Sequence, residues 1–224
     1  MLFEDNDKMD VNQIKIGQDL LQDQHILARR NRSMLDLFNV KMIDIMGSVG
    51  TGKTSIIQQL VKVFKKKYQS VVINGDLATR IDQERVQACG VDAYQINTGK
   101  ECHLSASMIK GVLKQIDLQQ ADLILVENVG NLICPVDFPL GAHRRLMVIS
   151  VTEGPYIVRK HPTVFLEMEY VAINKTDLSS IMDVNVGELV RDIKAIRDNV
   201  RIFPVSCRDH TGLADLAASL LEGL

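Results

Sequence analysis

The chain has 224 residues, 46% hydrophobic and 24% charged, and 26 basic against 28 acidic residues leave a net charge of −2. That length suits one compact domain with a sizeable core, and the balanced charge argues against a general nucleic-acid or membrane-surface binder. Aromatic residues make up only 4%, with no Trp, which leaves little for stacking on single-stranded bases.

The first ten residues, MLFEDNDKMD, are acidic and carry no apolar signal-peptide core. No run reaches the ~18 apolar residues that a membrane-spanning helix needs. The expectation is a cytoplasmic protein. There, Cys89, Cys102, Cys134 and Cys207 read as thiols or metal ligands rather than disulfides.

In chain order, residues 8–37 show no strand pattern, while Leu20, Leu27 and Met34 recur at heptad spacing with Ile16 four residues before Leu20. The spacing predicts an amphipathic helix, a helical extension over 1–38 ahead of a domain spanning 39–224. From Val40 onward short apolar runs recur: VKMIDIM, SVVING, AYQIN, ADLILVEN, RLMVISV, YVAINK and RIFPVS. Helix-length segments separate most of them. The pattern predicts an α/β fold, a mainly parallel sheet flanked by helices, with its chemistry at the carboxyl ends of the strands.

The first of those ends carries Gly47-Ser48-Val49-Gly50-Thr51-Gly52-Lys53-Thr54, followed by Ser55 and a helical run. This is G-x-x-x-x-G-K-[ST] in its strand–loop–helix setting, the mark of a P-loop NTPase. Its backbone N–H groups suit a phosphate, Lys53 the β- and γ-phosphates, and Thr54 a Mg²⁺ ion. The second strand ends in Asp76, with Asp82 six residues on; either acid could face Mg²⁺ or the attacking water, and either could be a helix cap. The strand ADLILV ends in Glu127, a further acid for Mg²⁺, and Gly130 follows in a turn suited to sensing the γ-phosphate.

Between these motifs lie Cys102 and His103, adjacent in TGKECHLSA, and Cys134 in VGNLICPVD. Thiol and imidazole suit Zn²⁺ or Ni²⁺. Spacing alone leaves two readings open, a metal site completed by a second chain or three packed side chains. His25, His143, His161 and His210 stand alone and read as surface or capping residues, and Cys89 as a small packed hydrophobe.

After YVAI comes Asn174-Lys175-Thr176-Asp177, an N-K-x-D. The Asp177 carboxylate can accept from both guanine N1–H and the 2-amino group. Adenine lacks that pair of donors, so GTP is preferred over ATP. Ser206, which ends RIFPVS, and Cys207 directly after it lie where the loop backbone is expected to touch the guanine, with Cys207 read as a packing or backbone contact rather than a metal ligand.

Taken in order, GSVGTGKT, NGD, NTGKECHL, ENVGNLICP and INKTD resemble the hydrogenase nickel-incorporation GTPase family, HypB, over roughly residues 8–222. The resemblance implies a dimerising P-loop GTPase with slow intrinsic hydrolysis of GTP to GDP, which helps deliver nickel to [NiFe]-hydrogenase precursors. It implies a Zn²⁺ or Ni²⁺ site of Cys102, His103 and Cys134 at a subunit interface, and Mg²⁺ around Thr54, Asp82 and Glu127. It implies that Lys160 reaches the partner subunit's nucleotide. The partners implied are a second copy of the chain, a nickel chaperone and the hydrogenase large-subunit precursor. Two features depart from many relatives. No Cys precedes Cys89 and only His25 falls in the first hundred residues, so an N-terminal nickel store is not expected. Thr152-Glu153-Gly154 also runs into Pro155-Tyr156 rather than into acids. The rivals are a urease-accessory-like GTPase, whose Cys-Pro-His motif this chain lacks, and a non-catalytic nickel carrier.

Overall fold

The computed structural model describes residues 11–76, 86–99 and 101–223, with side chains over 22–75, 86–99 and 101–223. A helix α1 (Val11–Leu37) precedes strand β1 (Lys41–Met46), helix α2 (Lys53–Phe64) and strands β2 (Ser70–Asp76) and β3 (Asp92–Asn97). Helix α3 (Ala106–Leu113), β4 (Leu123–Glu127), the short α4 (Cys134–Asp137) and β5 (Arg144–Ser150) follow. The chain ends with α5 (Ile157–Lys160), α6 (Pro162–Leu166), β6 (Tyr170–Asn174), α7 (Val186–Ile196), β7 (Arg201–Pro204) and α8 (Leu213–Leu221).

The seven strands form one sheet in the order β3-β2-β4-β1-β5-β6-β7, and every neighbouring pair is parallel. All seven apolar runs of the sequence are strands. β4 and β6 are buried along their whole length, because helices cover both faces and neither alternates with water. On one face α2 and α8 pack through Ile56, Leu60, Phe64, Leu216 and Leu220. Another core cluster joins Leu35 of α1 to Ile109 and Leu113 of α3 over Ile73 and Ile124.

In α1 the buried face is Ala28, Asn31 and Leu35, while Leu27 and Met34 of the heptad stripe are only half-buried flanks. Over this stretch burial is centred one residue beyond the predicted stripe, whose Ile16 and Leu20 lie outside the described side chains. The middle position of the buried face is an asparagine, which a count of apolar residues scores as outward-facing. His143 also corrects its expectation. It is buried, not superficial: Met42 N–H donates to its Nδ1 at 3.0 Å, and its Nε2 lies 2.9 Å from Asp36 Oδ1. An imidazole with an acceptor on one nitrogen and a donor on the other joins β1 to α1, where a surface histidine would do neither.

Candidate functional site

β1 lies between β4 and β5, where the chain order reverses direction across the sheet, and an open parallel sheet leaves its crevice at such a point. A cleft of about 400 Å³ opens there, lined by Val49, Gly50, Gly52, Lys53, Thr54, Ser55, Asn74, Gly75, Glu127, Asn128, Gly130 and Lys175. Most of the loop from Gly47 to Ser55 thus faces one space with Glu127 and Gly130.

The loop is held from inside. Thr51 is fully buried and its hydroxyl donates to Ser48 O at 3.0 Å, while Lys53 Nζ donates to Gly47 O at 3.0 Å and Ser48 O at 3.1 Å. The ammonium sits inside the curl of the loop, where an anion would also lie. Gly52 has φ +94°, and a Cβ there would stand 2.4 Å from Asn174 Nδ2. That close approach lets the Asn174 amide donate to Thr51 O at 2.8 Å, tying the loop to the end of β6. Lys175, itself at φ +60°, donates from Nζ to Gly50 O at 2.7 Å and lies along the rim of the cleft.

Thr54 Oγ–H donates to Glu127 Oε1 at 2.7 Å, and both residues are buried. A hydroxyl beside a carboxylate is a hard, all-oxygen donor pair of the kind that takes Mg²⁺ through one or two protein ligands and water. The residues present fit that ion. Asp76 ends β2 in register with Asn97, and Asp82 lies outside the described residues. Asn74, which the motifs did not single out, is 1% exposed with neither amide atom hydrogen-bonded, and it lines the cleft across from Glu127 in register.

Two residues beyond Lys175, Asp177 is backed by the loop after β7. Ser206 Oγ–H donates to Asp177 Oδ1 at 2.8 Å and itself accepts Asp209 N–H at 3.1 Å. Cys207 packs half-buried on the core, and burial, with the Asp177 charge behind it, pushes its thiol up to about 11. It is an inert thiol at neutral pH. Lys160 is exposed at the end of α5 and does not line the cleft of its own chain.

The Cys/His residues lie on the segments that follow β3 and β4. Cys102 is exposed, Cys134 half-buried, and both are free thiols. The hydrogen bond to Cys102 is the first cause that lifts the Cys134 thiol above its ordinary value, and burial adds to it. Cys102 Sγ is 3.7 Å from His103 Nδ1, and the His103 ring stacks on Phe138 with centroids 3.6 Å apart. Burial lowers the His103 pKa against the pull of Glu101, which favours the neutral imidazole that a metal needs. Among the described residues no three such side chains close on one point.

Two asparagines join this donor group to the phosphate loop. Asn131 bridges to Gly47 as an isolated antiparallel pair, and its Oδ1 accepts Ile133 N–H at 2.8 Å and Cys134 N–H at 3.1 Å. Asn128, 1% exposed, accepts Val129 N–H at 2.9 Å and Leu104 N–H at 3.2 Å on Oδ1, and donates from Nδ2 to Asp44 Oδ1 at 3.0 Å. No sequence motif exposes the links to Gly47, Asp44 and Leu104, because these partners lie far away in the chain.

Comparison with known proteins agrees with the geometry. Residues 41–204 match the family described as CobW/HypB/UreG, nucleotide-binding domain. The chain is 38% identical over 202 residues to a probable hydrogenase maturation factor HypB of Methanocaldococcus jannaschii, covering 90% of this chain and 91% of that one. It superposes on the crystal structure of HypB from Archaeoglobus fulgidus with a TM-score of 0.83 at 37% identity, covering 89% of this chain and 97% of that one. HypB from Helicobacter pylori, solved in complex with nickel, gives a TM-score of 0.84 at 34% identity, covering 89% and 94%. No helix among the described residues is long and apolar enough to cross a membrane.

Proposed function

Since this chain belongs to the HypB family of hydrogenase maturation factors, within the wider CobW/HypB/UreG group, we propose that it is a GTP-hydrolysing nickel-insertion protein for [NiFe]-hydrogenase. The observation that carries the reading is the link from the phosphate loop to Cys134: Asn131, in the turn after Glu127, pairs with Gly47 and accepts Cys134 N–H at 3.1 Å. Thiolate and imidazole donors a few residues from a phosphate sensor suit a metal cargo released by nucleotide state.

In this mechanism Asp177 accepts from guanine N1–H and the 2-amino group, and Asn174 keeps the base loop tied to the phosphate loop. Lys53 turns from the Gly47 and Ser48 carbonyls to the β- and γ-phosphate oxygens. Thr54 and Glu127, with Asp82, would hold Mg²⁺, which when bound would draw charge from the transferring phosphoryl group. Asp76 and Asp82 orient the attacking water, and Gly130 N–H meets the γ-phosphate. When that contact is lost, the turn relaxes and moves Asn131 and, through it, Cys134. Cys102, His103 and Cys134 from two subunits supply the nickel or zinc ligands that one chain leaves incomplete, and Lys160 reaches the partner subunit's nucleotide. Among the described residues no arginine lines the cleft, and the chain turns GTP over slowly. Residues 1–38 act as a helical extension of the GTPase domain at 39–224, and a nickel chaperone and the hydrogenase large-subunit precursor are the expected partners.

The test is phosphate release from GTP, together with nickel delivery to the hydrogenase large-subunit precursor, by the wild type and Lys53→Ala. The reading requires the variant to bind nickel but to lose both turnover and delivery. Undiminished delivery by Lys53→Ala would make the protein a carrier that uses nucleotide only as a structural ligand.

A further inference from the structure

We infer that Asn31 is a positioning residue for the metal cargo: its side-chain amide fixes the distance between the loop carrying Cys102 and His103 and the loop carrying Cys134. The inference rests on the reading of those three residues as nickel donors.

Asn31 lies on α1 and is fully buried. Its Nδ2 donates to Ala106 O at 2.8 Å and to Leu140 O at 3.1 Å. Ala106 follows His103 by three residues and begins α3, and Leu140 follows Phe138, the ring on which His103 stacks, by two. One amide group thus joins the flanks of both donor loops. The side chain's orientation is unambiguous, since both partners are carbonyls and only the NH₂ end can donate to them.

Neighbouring contacts hold each loop to the same helix. Gln24 Oε1 accepts Ala106 N–H at 3.0 Å, so both backbone polar groups of Ala106 are bonded to α1. On the other loop Arg32 Nη1 donates to Ala142 O at 2.6 Å. Gly141 packs so close to α1 that a Cβ there would stand 2.3 Å from Ala28 O.

A leucine at position 31 would satisfy helix packing alone. An amide at a dry position is bonded at both hydrogens only while the two carbonyls keep their separation, so it specifies that distance rather than mere burial. Metal sites need their donors held to a few tenths of an ångström, and groups one shell out set that tolerance. The residues that α1 bonds on these loops, Ala106, Leu140 and Ala142, do not line the nucleotide cleft. The effect of Asn31 should therefore fall on metal affinity and leave nucleotide affinity alone.

The experiment measures Ni²⁺ and GDP affinities of the full chain for the wild type, Asn31→Ala, Gln24→Ala and Cys134→Ala, with the thiolate-to-nickel charge-transfer absorption recorded in parallel. Asn31→Ala is expected to weaken Ni²⁺ binding ~10-fold or more and to alter the charge-transfer band, with GDP affinity unchanged. Wild-type Ni²⁺ affinity in an Asn31→Ala protein that still binds GDP overturns the inference. Should Asn31→Ala fail to fold and lose GDP binding, Gln24→Ala decides: weaker Ni²⁺ with intact GDP binding upholds the inference, and unchanged Ni²⁺ binding overturns it. Ni²⁺ binding indifferent to Cys134→Ala would instead refute the donor assignment on which the inference rests.

Discussion

Asn128 and Leu104 are joined by a hydrogen bond of 3.2 Å from the Leu104 N–H to the Asn128 side-chain oxygen. Leu104 follows His103 directly, and Asn128 follows Glu127, the carboxylate that accepts the Thr54 hydroxyl. The same side-chain oxygen accepts Val129 N–H, the amide that opens the turn after Glu127. A shift of that turn therefore strains a bond to the donor loop, and a shift of the donor loop strains the turn. Buried amides of this kind are costly to leave unpaired, ~1–3 kcal/mol for each lost partner, so the two loops are expected to move together.

Gly52→Ala should disable the nucleotide site. The added methyl would meet Asn174 Nδ2 at 2.4 Å, at a backbone φ of +94° that side chains rarely adopt. Relief requires breaking the Asn174 bond to Thr51 O, which releases the base loop from the phosphate loop. Thermal unfolding of the variant should reveal a loss of ~1–3 kcal/mol, and calorimetry with GDP should detect no binding. Wild-type GDP affinity would show that the contact between the loops is dispensable.

Asp177→Asn should weaken GTP ~100-fold, the equivalent of two charge-assisted hydrogen bonds reduced to a single neutral acceptor. Xanthine carries a carbonyl where guanine has its amino group, and the new amide could donate to it. The variant should therefore gain affinity for xanthosine triphosphate as it loses GTP. Competition binding with the two nucleotides checks both halves, and parallel losses for both would mean that Asp177 does not read the base.

Asp44 predicts a pH dependence. It is fully buried on β1, and burial, against the opposing pull of Arg145 and the Asn128 hydrogen bond, raises its pKa from 3.8 to about 6. A carboxyl with a higher pKa folded than unfolded binds its proton more tightly in the folded state. Its destabilising effect is absent below pH ~4, grows as pH rises through the window to about 6, and is complete above it. Asp44→Asn abolishes the titration. Relative to wild type, the variant should gain up to ~3 kcal/mol between pH ~4 and ~7. Any pH-independent change from the new amide cancels in that comparison. Denaturant unfolding at the two pH values measures it, and a constant difference between the proteins would show that Asp44 ionises normally.

Much of the site was legible because each recognition element is contiguous in the chain. The phosphate loop, N-K-x-D and the Cys-His pair carry their chemistry in residue types at short spacing. The seven strands were legible because burial on both faces turns them into continuous apolar runs. What escaped were residues whose burial or setting no local pattern reveals. Asn31, Asn74, Asn128 and Asn131 are neutral amides, and nothing local marks an amide as buried. His143 looked solitary because its partners, Met42 and Asp36, are a hundred residues earlier. Phe138 gave no sign that it would stack on His103. The stripe on α1 was displaced by one position because its centre is polar.

The coupling of the two sites is tested most directly by the Ni²⁺ affinity of the wild type loaded with GDP and with a nonhydrolysable GTP analogue, read alongside the oligomeric state, and repeated for Asn128→Ala. The account predicts that the two nucleotides change wild-type Ni²⁺ affinity by a factor of ~5–150, together with the size of the assembly, and that the factor shrinks towards one in the variant. Equal Ni²⁺ affinities and equal assembly sizes for the two wild-type forms would contradict it.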